Sequence, residues 1–328
     1  MVLAGSRVGR KNSLHRVAGA DKLSWKSAFS KLASHAVLKR VKPLMNISRR
    51  RAIRTFAAAA AAGATWFDAF KASAKAAAHL DFAGLPMGIQ SYSLRGFDAD
   101  KAMDIIQKDL ELHFVEMFRA HYPVTTDEAA IATMTQKLKA HELKLTAHGV
   151  QAFTADHAKN EEFFKFAKAA GFKNLAADPT PDSFDSLEKL VKQYDLRIAI
   201  HNHGPGHRYD KVADCMKAVD GRDKRIGFCA DLGHFIRSGE DCVKLLHEMK
   251  GRVWGVHLKD FDAPKKDAHG VVLGKGLLDV AGVFKALKAI EFPADGALSL
   301  EYEENPKNPI GEMQECVAVA AKAAKTLA

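Results

Sequence analysis

Two imidazoles and two carboxylates close four successive apolar runs in the second half of the chain: His201, Asp231, His257 and Glu301. Side chains of these types are rarely buried without partners. If the four runs are neighbouring strands, the four groups converge. Two ring nitrogens and two carboxylate oxygens make a mixed ligand set that suits Mn²⁺, Zn²⁺, Co²⁺ or Fe²⁺ better than Ca²⁺. With Mg²⁺ added to that group, one divalent ion is the expected cofactor. A divalent ion gripping a carbonyl and an adjacent hydroxyl acidifies the C–H between them and stabilises the enediolate. A carboxylate or imidazole within reach then moves the proton. Isomerisation, epimerisation and β-elimination of a keto-sugar all begin with this step.

Other ionisable groups fall at comparable positions. His203 lies two residues past His201 and faces the same side if the strand stays extended. It is either an acid/base group beside Glu301 or the ligand itself. Lys259, two residues past His257, is a candidate for stabilising the oxyanion; the plainer alternative is a solvated strand-end lysine. Glu116, His148 and His234 are expected to line the pocket and bind substrate hydroxyls.

These groups need a scaffold that brings many strand ends together. Eight candidate strands occur: Met87–Tyr92, Phe114–Phe118, Lys144–Val150, Asn174–Asp178, Arg197–His201, Arg225–Asp231, Val253–Leu258 and Ala297–Tyr302. Between them lie segments of helical periodicity, such as Asp98–Leu112 with Ala102, Ile105, Ile106 and Leu110 on one face. Asp279, and either Asp182 or Ser183, are expected helix caps. Gly171, Gly221 and Gly251 stand where helices should stop. Strict alternation of eight strands and eight helices over residues 79–328 is the size and order of an α/β (β/α)8 TIM barrel. A doubly wound sheet would open on a glycine-rich turn; here the first strand runs into Gln90-Ser91-Tyr92-Ser93.

Three stretches carry a family resemblance: Ala230-Asp231-Leu232-Gly233-His234, Val256-His257-Leu258-Lys259-Asp260 and Leu300-Glu301-Tyr302-Glu303. With Leu273-Gly274-Lys275-Gly276 and Asp279, they resemble the xylose isomerase-like TIM-barrel family of sugar phosphate isomerases and epimerases. The resemblance implies that Asp231, His257 and Glu301 are metal ligands. It also implies a small sugar or keto-sugar as partner. Many members of that family carry a glutamate on the fifth strand as a further ligand, where this chain reads Ile200-His201-Asn202-His203. Family epimerases use two metal-bound glutamates on opposite faces of the substrate, and His201 replaces one of them.

The expected function is therefore a metal-dependent sugar isomerase or epimerase, or a keto-sugar lyase. An apurinic endonuclease-like zinc phosphodiesterase is the first alternative. Asp267-Ala268-His269 looks like an endonuclease metal pair, and His148 and His234 fall where that group has zinc ligands. A non-catalytic sugar-binding barrel is the second. Charge weighs against nucleic acid. Residues 1–78 hold 16 Lys/Arg and 2 Asp/Glu, whereas the remaining 250 residues hold 33 and 37, a balance of −4. A phosphate-tracking domain usually carries a basic face.

Within residues 1–78, Ser48-Arg49-Arg50-Arg51-Ala52-Ile53-Arg54 resembles a twin-arginine export motif. An uncharged, Ala-rich run and small-residue cleavage candidates follow it. The run is too short for a spanning helix, so no stable membrane insertion is expected. Export to the periplasm is the expectation, and a cytoplasmic protein the alternative. Self-association into a homo-oligomer is left open. Cys215, Cys229, Cys242 and Cys316 match neither a zinc knuckle nor a disulfide framework and are expected as free thiols.

Overall fold

The computed structural model describes residues 80–327, which fall within one compact unit, Ala76–Ala328. The export motif and the basic stretch, 1–78, lie outside the described residues.

Eight parallel strands close into a barrel. They are β1 (Met87–Gln90), β2 (Phe114–Met117), β3 (Lys144–Phe153), β4 (Asn174–Pro179), β5 (Arg197–His201), β6 (Ile226–Asp231), β7 (Val253–Leu258) and β8 (Ala297–Leu300). Each strand pairs with its neighbour in sequence, and β8 closes the ring onto β1. All eight expected strands are present. Their apolar runs are buried on both faces, as parallel strands require.

Aspartate starts most of the helices of the outer layer. Asp98, Asp127, Asp156, Asp241 and Asp279 each sit at an N-cap and accept a backbone N–H of the first turn. That contact satisfies one of the donors a helix start leaves open. The expected cap at Asp182 or Ser183 is different. Pro181–Ser183 forms a 3-10 turn ahead of helix Phe184–Tyr194, and Ser183 makes no side-chain cap bond there. Gly171 caps helix His157–Ala170 in the left-handed region.

Three short elements had no clear signal in the sequence. Ser91–Leu94 is a 3-10 turn directly after β1. Leu232–Arg237 is a helix of under two turns directly after β6. Asp260–Phe261 and Gly270–Val271 form a small antiparallel hairpin after β7. All three follow strands whose ends carry the candidate chemistry. Each is too short to show a period.

The hairpin explains the glycine pair at 274 and 276. Asp260 is buried, and its carboxylate accepts the backbone N–H groups of Phe261, Gly274, Gly276 and Leu278. A Cβ on Gly276 would stand 2.4 Å from the Asp260 carboxylate and 2.4 Å from the Phe261 carbonyl. Only glycine lets the loop close around the buried charge.

His148 corrects one expectation. It is fully buried between the barrel and the helices, not in the pocket. Its ring lies 5.1 Å from Phe166 and 6.0 Å from Phe172. Nε2 is 2.8 Å from the Tyr122 carbonyl and Nδ1 is 2.7 Å from the Gln151 amide. A neutral ring protonated on Nε2 satisfies both contacts. Side chains alternate along a strand, so Ala147 faces the interior beside Glu116 and His148 faces outward.

Burial pushes the His148 pKa down to about 4, against the raising effects of the Tyr122 carbonyl and the Glu116 charge. The unfolded chain therefore binds the extra proton first. Stability is complete above the ordinary histidine pKa and is lost as pH falls toward 4. A shift of this size corresponds to about 3 kcal/mol at full extent. Urea midpoints between pH 7 and 4.5 should fall more steeply for the wild type than for His148→Phe. Parallel slopes would show that the ring is not held neutral.

Candidate metal centre

Strand register brings the four candidate ligands to one end of the barrel. Asp231 and Ser299 are both register partners of His257, and His201 is the partner of Cys229, two residues before Asp231. Beneath them the barrel interior is filled by Ala176, Ala199 and Cys229, with Trp254 packed against them. Small side chains below leave the larger polar ones to meet above.

One nitrogen or oxygen from each of His201, Asp231, His257 and Glu301 lies within 4.8 Å of the other three. His201 Nε2 is 3.1 Å from His257 Nδ1 and 3.6 Å from Asp231 Oδ2. His257 Nδ1 is 3.7 Å from Asp231 Oδ2 and 3.2 Å from Glu301 Oε2. Ligands at ~2.1 Å from a tetrahedral ion stand ~3.4 Å apart. The spacing fits an ion. So does Asp231 Oδ2, which is buried and without a hydrogen-bond partner among the described residues. An orphaned carboxylate oxygen costs free energy unless something else meets it.

Asp231 and His257 are fixed from behind. Asp231 Oδ1 caps the helix Leu232–Arg237 by accepting the His234 N–H at 2.7 Å. Asn202 grips the Asp231 backbone from both sides: its amide donates to the Asp231 carbonyl, and its oxygen accepts the Asp231 N–H. His257 uses its second nitrogen, Nε2, on Glu116 Oε2 at 3.0 Å, and Ser299 Oγ donates to the same oxygen. A carboxylate behind a ligand histidine sets its tautomer and raises its basicity.

That contact corrects a second expectation. Glu116 is wholly buried beneath His257 and orients it; it does not line the pocket for substrate hydroxyls. Asn202 and Ser299 were not singled out in the sequence. Neither has a distinguishing type or spacing, and their roles come from partners on adjacent strands.

Lys259 lies at the edge of the cluster and is buried, not solvated. Its Nζ is 3.1 Å from Glu301 Oε2 and 3.6 Å from Asp231 Oδ2, and it bonds Glu303. Burial works to discharge it, but Asp231, Glu301 and Glu303 hold its pKa well above the usual lysine value. Burial likewise resists ionisation of Glu301, yet Lys259 and His257 keep that carboxyl far below the usual range. Gly233 makes room for this lysine. A Cβ there would stand 2.7 Å from Lys259 Cγ and 2.8 Å from the Phe261 ring.

An open cavity of about 470 Å³ reaches the cluster. His201, His203, His234, Glu301 and Glu303 line it together with Gln90, Tyr92, Phe118 and Arg119. His203 and His234 thus border the pocket. The His203 ring packs 4.5 Å from that of His201. Burial, then the neighbouring imidazoles His201 and His207, push its pKa down to about 3. His234 Nδ1 lies 3.1 Å from an Arg237 nitrogen. The arginine can only donate, so the ring proton falls on Nε2.

Asp267 and His269 join no group able to hold an ion among the described residues. Both are exposed on the loop that joins the two strands of the hairpin. The second such group, Glu116, Cys229 and His257, shares His257 with the first. All four cysteines are free and buried.

A family model described as xylose isomerase-like TIM barrel matches residues 180–320. An inosose dehydratase of Geobacillus thermodenitrificans is 25% identical over 224 residues, covering 62% of this chain and 74% of the relative. An uncharacterised protein of Parabacteroides distasonis has a similar structure at 28% identity, with a TM-score of 0.57 over 75% of this chain and all of that one. The 3-keto-D-glucoside 4-epimerase of E. coli shares the fold at 16% identity, with a TM-score of 0.57 over 73% of this chain and 99% of that one.

Proposed function

We propose that this chain, a xylose isomerase-like TIM-barrel protein, removes the proton next to the carbonyl of a keto-sugar and expels a substituent from the neighbouring carbon. One observation carries the choice of elimination. Glu301 is the only carboxylate of the four-residue cluster that lines the cavity, and an imidazole, His201, occupies the other cavity-facing position. An epimerase of the two-carboxylate kind needs a second carboxylate across the substrate, and the cavity's other carboxylate, Glu303, follows Glu301 from the same strand end and bonds Lys259. Elimination needs a base on one face and a proton for the departing oxygen.

His201, Asp231, His257 and Glu301 would hold a divalent ion, which when bound supplies Lewis acidity toward a carbonyl and its adjacent hydroxyl. Glu301, ionised by its neighbours Lys259 and His257, takes the α-proton. The C–H electron pair moves toward the carbonyl and returns to form the double bond as the β-oxygen leaves. Lys259, 3.1 Å from Glu301 Oε2, stabilises the negative charge that develops. His203 and His234 border the cavity as neutral rings and contact the substrate's hydroxyl side, and His203 relays a solvent proton to the departing oxygen, accepting on one ring nitrogen and donating from the other. The products are an unsaturated ketone and an alcohol or water. The similarity to inosose dehydratases points the same way.

His203 also favours a second reading. A second proton-transfer group at the cavity besides Glu301 could return the proton to the other face, which is epimerisation. Solvent deuterium incorporation across a panel of keto-sugars, with ultraviolet detection of the enone, separates the two. Enone formation with loss of the β-substituent is expected. A deuterated epimer without enone supports the second reading. Absence of both exchange and enone across the panel would rule out proton abstraction.

A further inference from the structure

His234 borders two cavities. One is the cavity of about 470 Å³ that reaches Glu301. The other is smaller, about 100 Å³, and is lined by Arg237, Lys259 and Phe261 among others. A ring that meets open space in two places is not fixed by packing alone. Its nearest apolar neighbour, Phe261, stacks loosely, with centroids 6.5 Å apart at 29°. A neutral imidazole can also carry its proton on either nitrogen.

Arg237 removes that freedom. It lies three residues after His234 on the short helix that follows β6, where side chains at that spacing meet. One guanidinium nitrogen is 3.1 Å from His234 Nδ1. Arginine has donors and no acceptor, so Nδ1 presents its lone pair and the ring is neutral, with its proton on Nε2. The guanidinium is itself anchored. Its Nε donates to the Lys266 carbonyl at 3.2 Å, and the remaining terminal nitrogen donates to the same oxygen. Its central carbon lies 5.3 Å from the centroid of the Phe261 ring. Phe261 is in the hairpin after β7, and Lys266 is on the loop that joins its strands. The planar fork therefore has little freedom to turn.

The other ring nitrogen keeps a proton with no acceptor in the protein. Asp231 Oδ2 is 3.8 Å from Nε2, beyond a hydrogen bond. No other partner meets it among the described residues. The side chain is only 14% exposed. A donor so placed on the wall of a cavity costs free energy unless an oxygen meets it there.

We infer that Arg237 is a positioning residue, which holds His234 as a fixed hydrogen-bond donor to a substrate oxygen. The role given to His234 rests on the reading of this cavity as the substrate site. The ring donates from Nε2 without giving up its proton. It has no free lone pair, since Nδ1 faces the arginine, so it does not serve as a base. Proton transfer is left to Glu301 and His203. The hairpin supports a cavity-lining side chain through an arginine on the neighbouring helix.

Two measurements on the full chain test the assignment. The first is nitrogen NMR of histidine-labelled protein, with the His234 signals identified by their loss in His234→Gln. The wild type should show an unprotonated Nδ1 and a protonated Nε2. Arg237→Met cannot donate and should move both signals toward a mixture of tautomers; Arg237→Lys should restore the wild-type pattern. A proton on Nδ1 in the wild type would overturn the assignment, as would an unchanged pattern in Arg237→Met. The second is solvent deuterium exchange with the keto-sugar panel. Arg237→Met should lower kcat/KM for exchange ~10-fold, the scale of one lost hydrogen bond, and Arg237→Lys should regain most of it. Unaltered exchange in Arg237→Met would show that the substrate makes no use of the donor. Absent exchange in the wild type counts against the proposed chemistry instead, and the tautomer pattern still decides for or against the clamp.

Discussion

Replacing Asp231 by Asn is expected to strip the divalent ion from the protein and abolish turnover while the fold survives. The two carboxylate oxygens have separate roles. Oδ1 accepts the His234 N–H and caps the helix that follows β6. Asn is about as good an N-cap as Asp, so that contact is kept. Oδ2 is the orphaned oxygen, 3.6 Å from His201 Nε2 and 3.7 Å from His257 Nδ1. It loses its charge and half its chance of presenting an oxygen. Loss of a partner behind a ligand typically costs about 10–100-fold in metal affinity. Loss of the ligand itself should cost more, on the order of 10³-fold. Metal content after dialysis, read beside circular dichroism and the thermal midpoint, checks this. Full occupancy in a folded Asp231→Asn protein would remove Asp231 from the ligand set.

Glu301→Gln is expected to have the second large effect, and of a different kind. Three other ligands remain, so the ion should be recoverable at raised metal concentration. The proton acceptor does not return with it. Exchange of the substrate α-proton with solvent should stay about 10²–10⁴-fold below wild type at saturating metal, the usual contribution of a positioned base. Both effects come from one carboxylate because Glu301 faces the ligand cluster and the cavity at once. Exchange within about 3-fold of wild type at saturating metal would assign proton abstraction to another group, with His203 next in line. The two variants together separate holding the ion from moving the proton.

The glycine positions show how much the motifs owe to packing. In the stretch Ala230-Asp231-Leu232-Gly233-His234, aspartate and histidine suggest chemistry, and glycine suggests only a turn. In the folded barrel the Lys259 side chain runs where a Cβ on Gly233 would be. Gly276 likewise yields space to the Asp260 carboxylate. Each glycine serves a charged residue distant in sequence, on the next strand or just beyond its own loop.

The barrel and the four-residue cluster were legible in the sequence. Parallel strands buried on both faces read as continuous apolar runs, and a polar residue that ends such a run stands out against it. Eight such runs, roughly one βα unit apart, specify the closed sheet, and the closed sheet brings His201, Asp231, His257 and Glu301 together. What strand position could not decide was the facing of a side chain and its partners. His148 and Glu116 looked alike, as polar residues near strand ends. One turns out among Phe166 and Phe172, and the other turns in beneath His257. A single residue of strand register separates those outcomes, since alternate side chains point to opposite faces. Asn202 and Ser299 were invisible for a related reason. Their significance lies in contacts across strands, which only the tertiary structure sets.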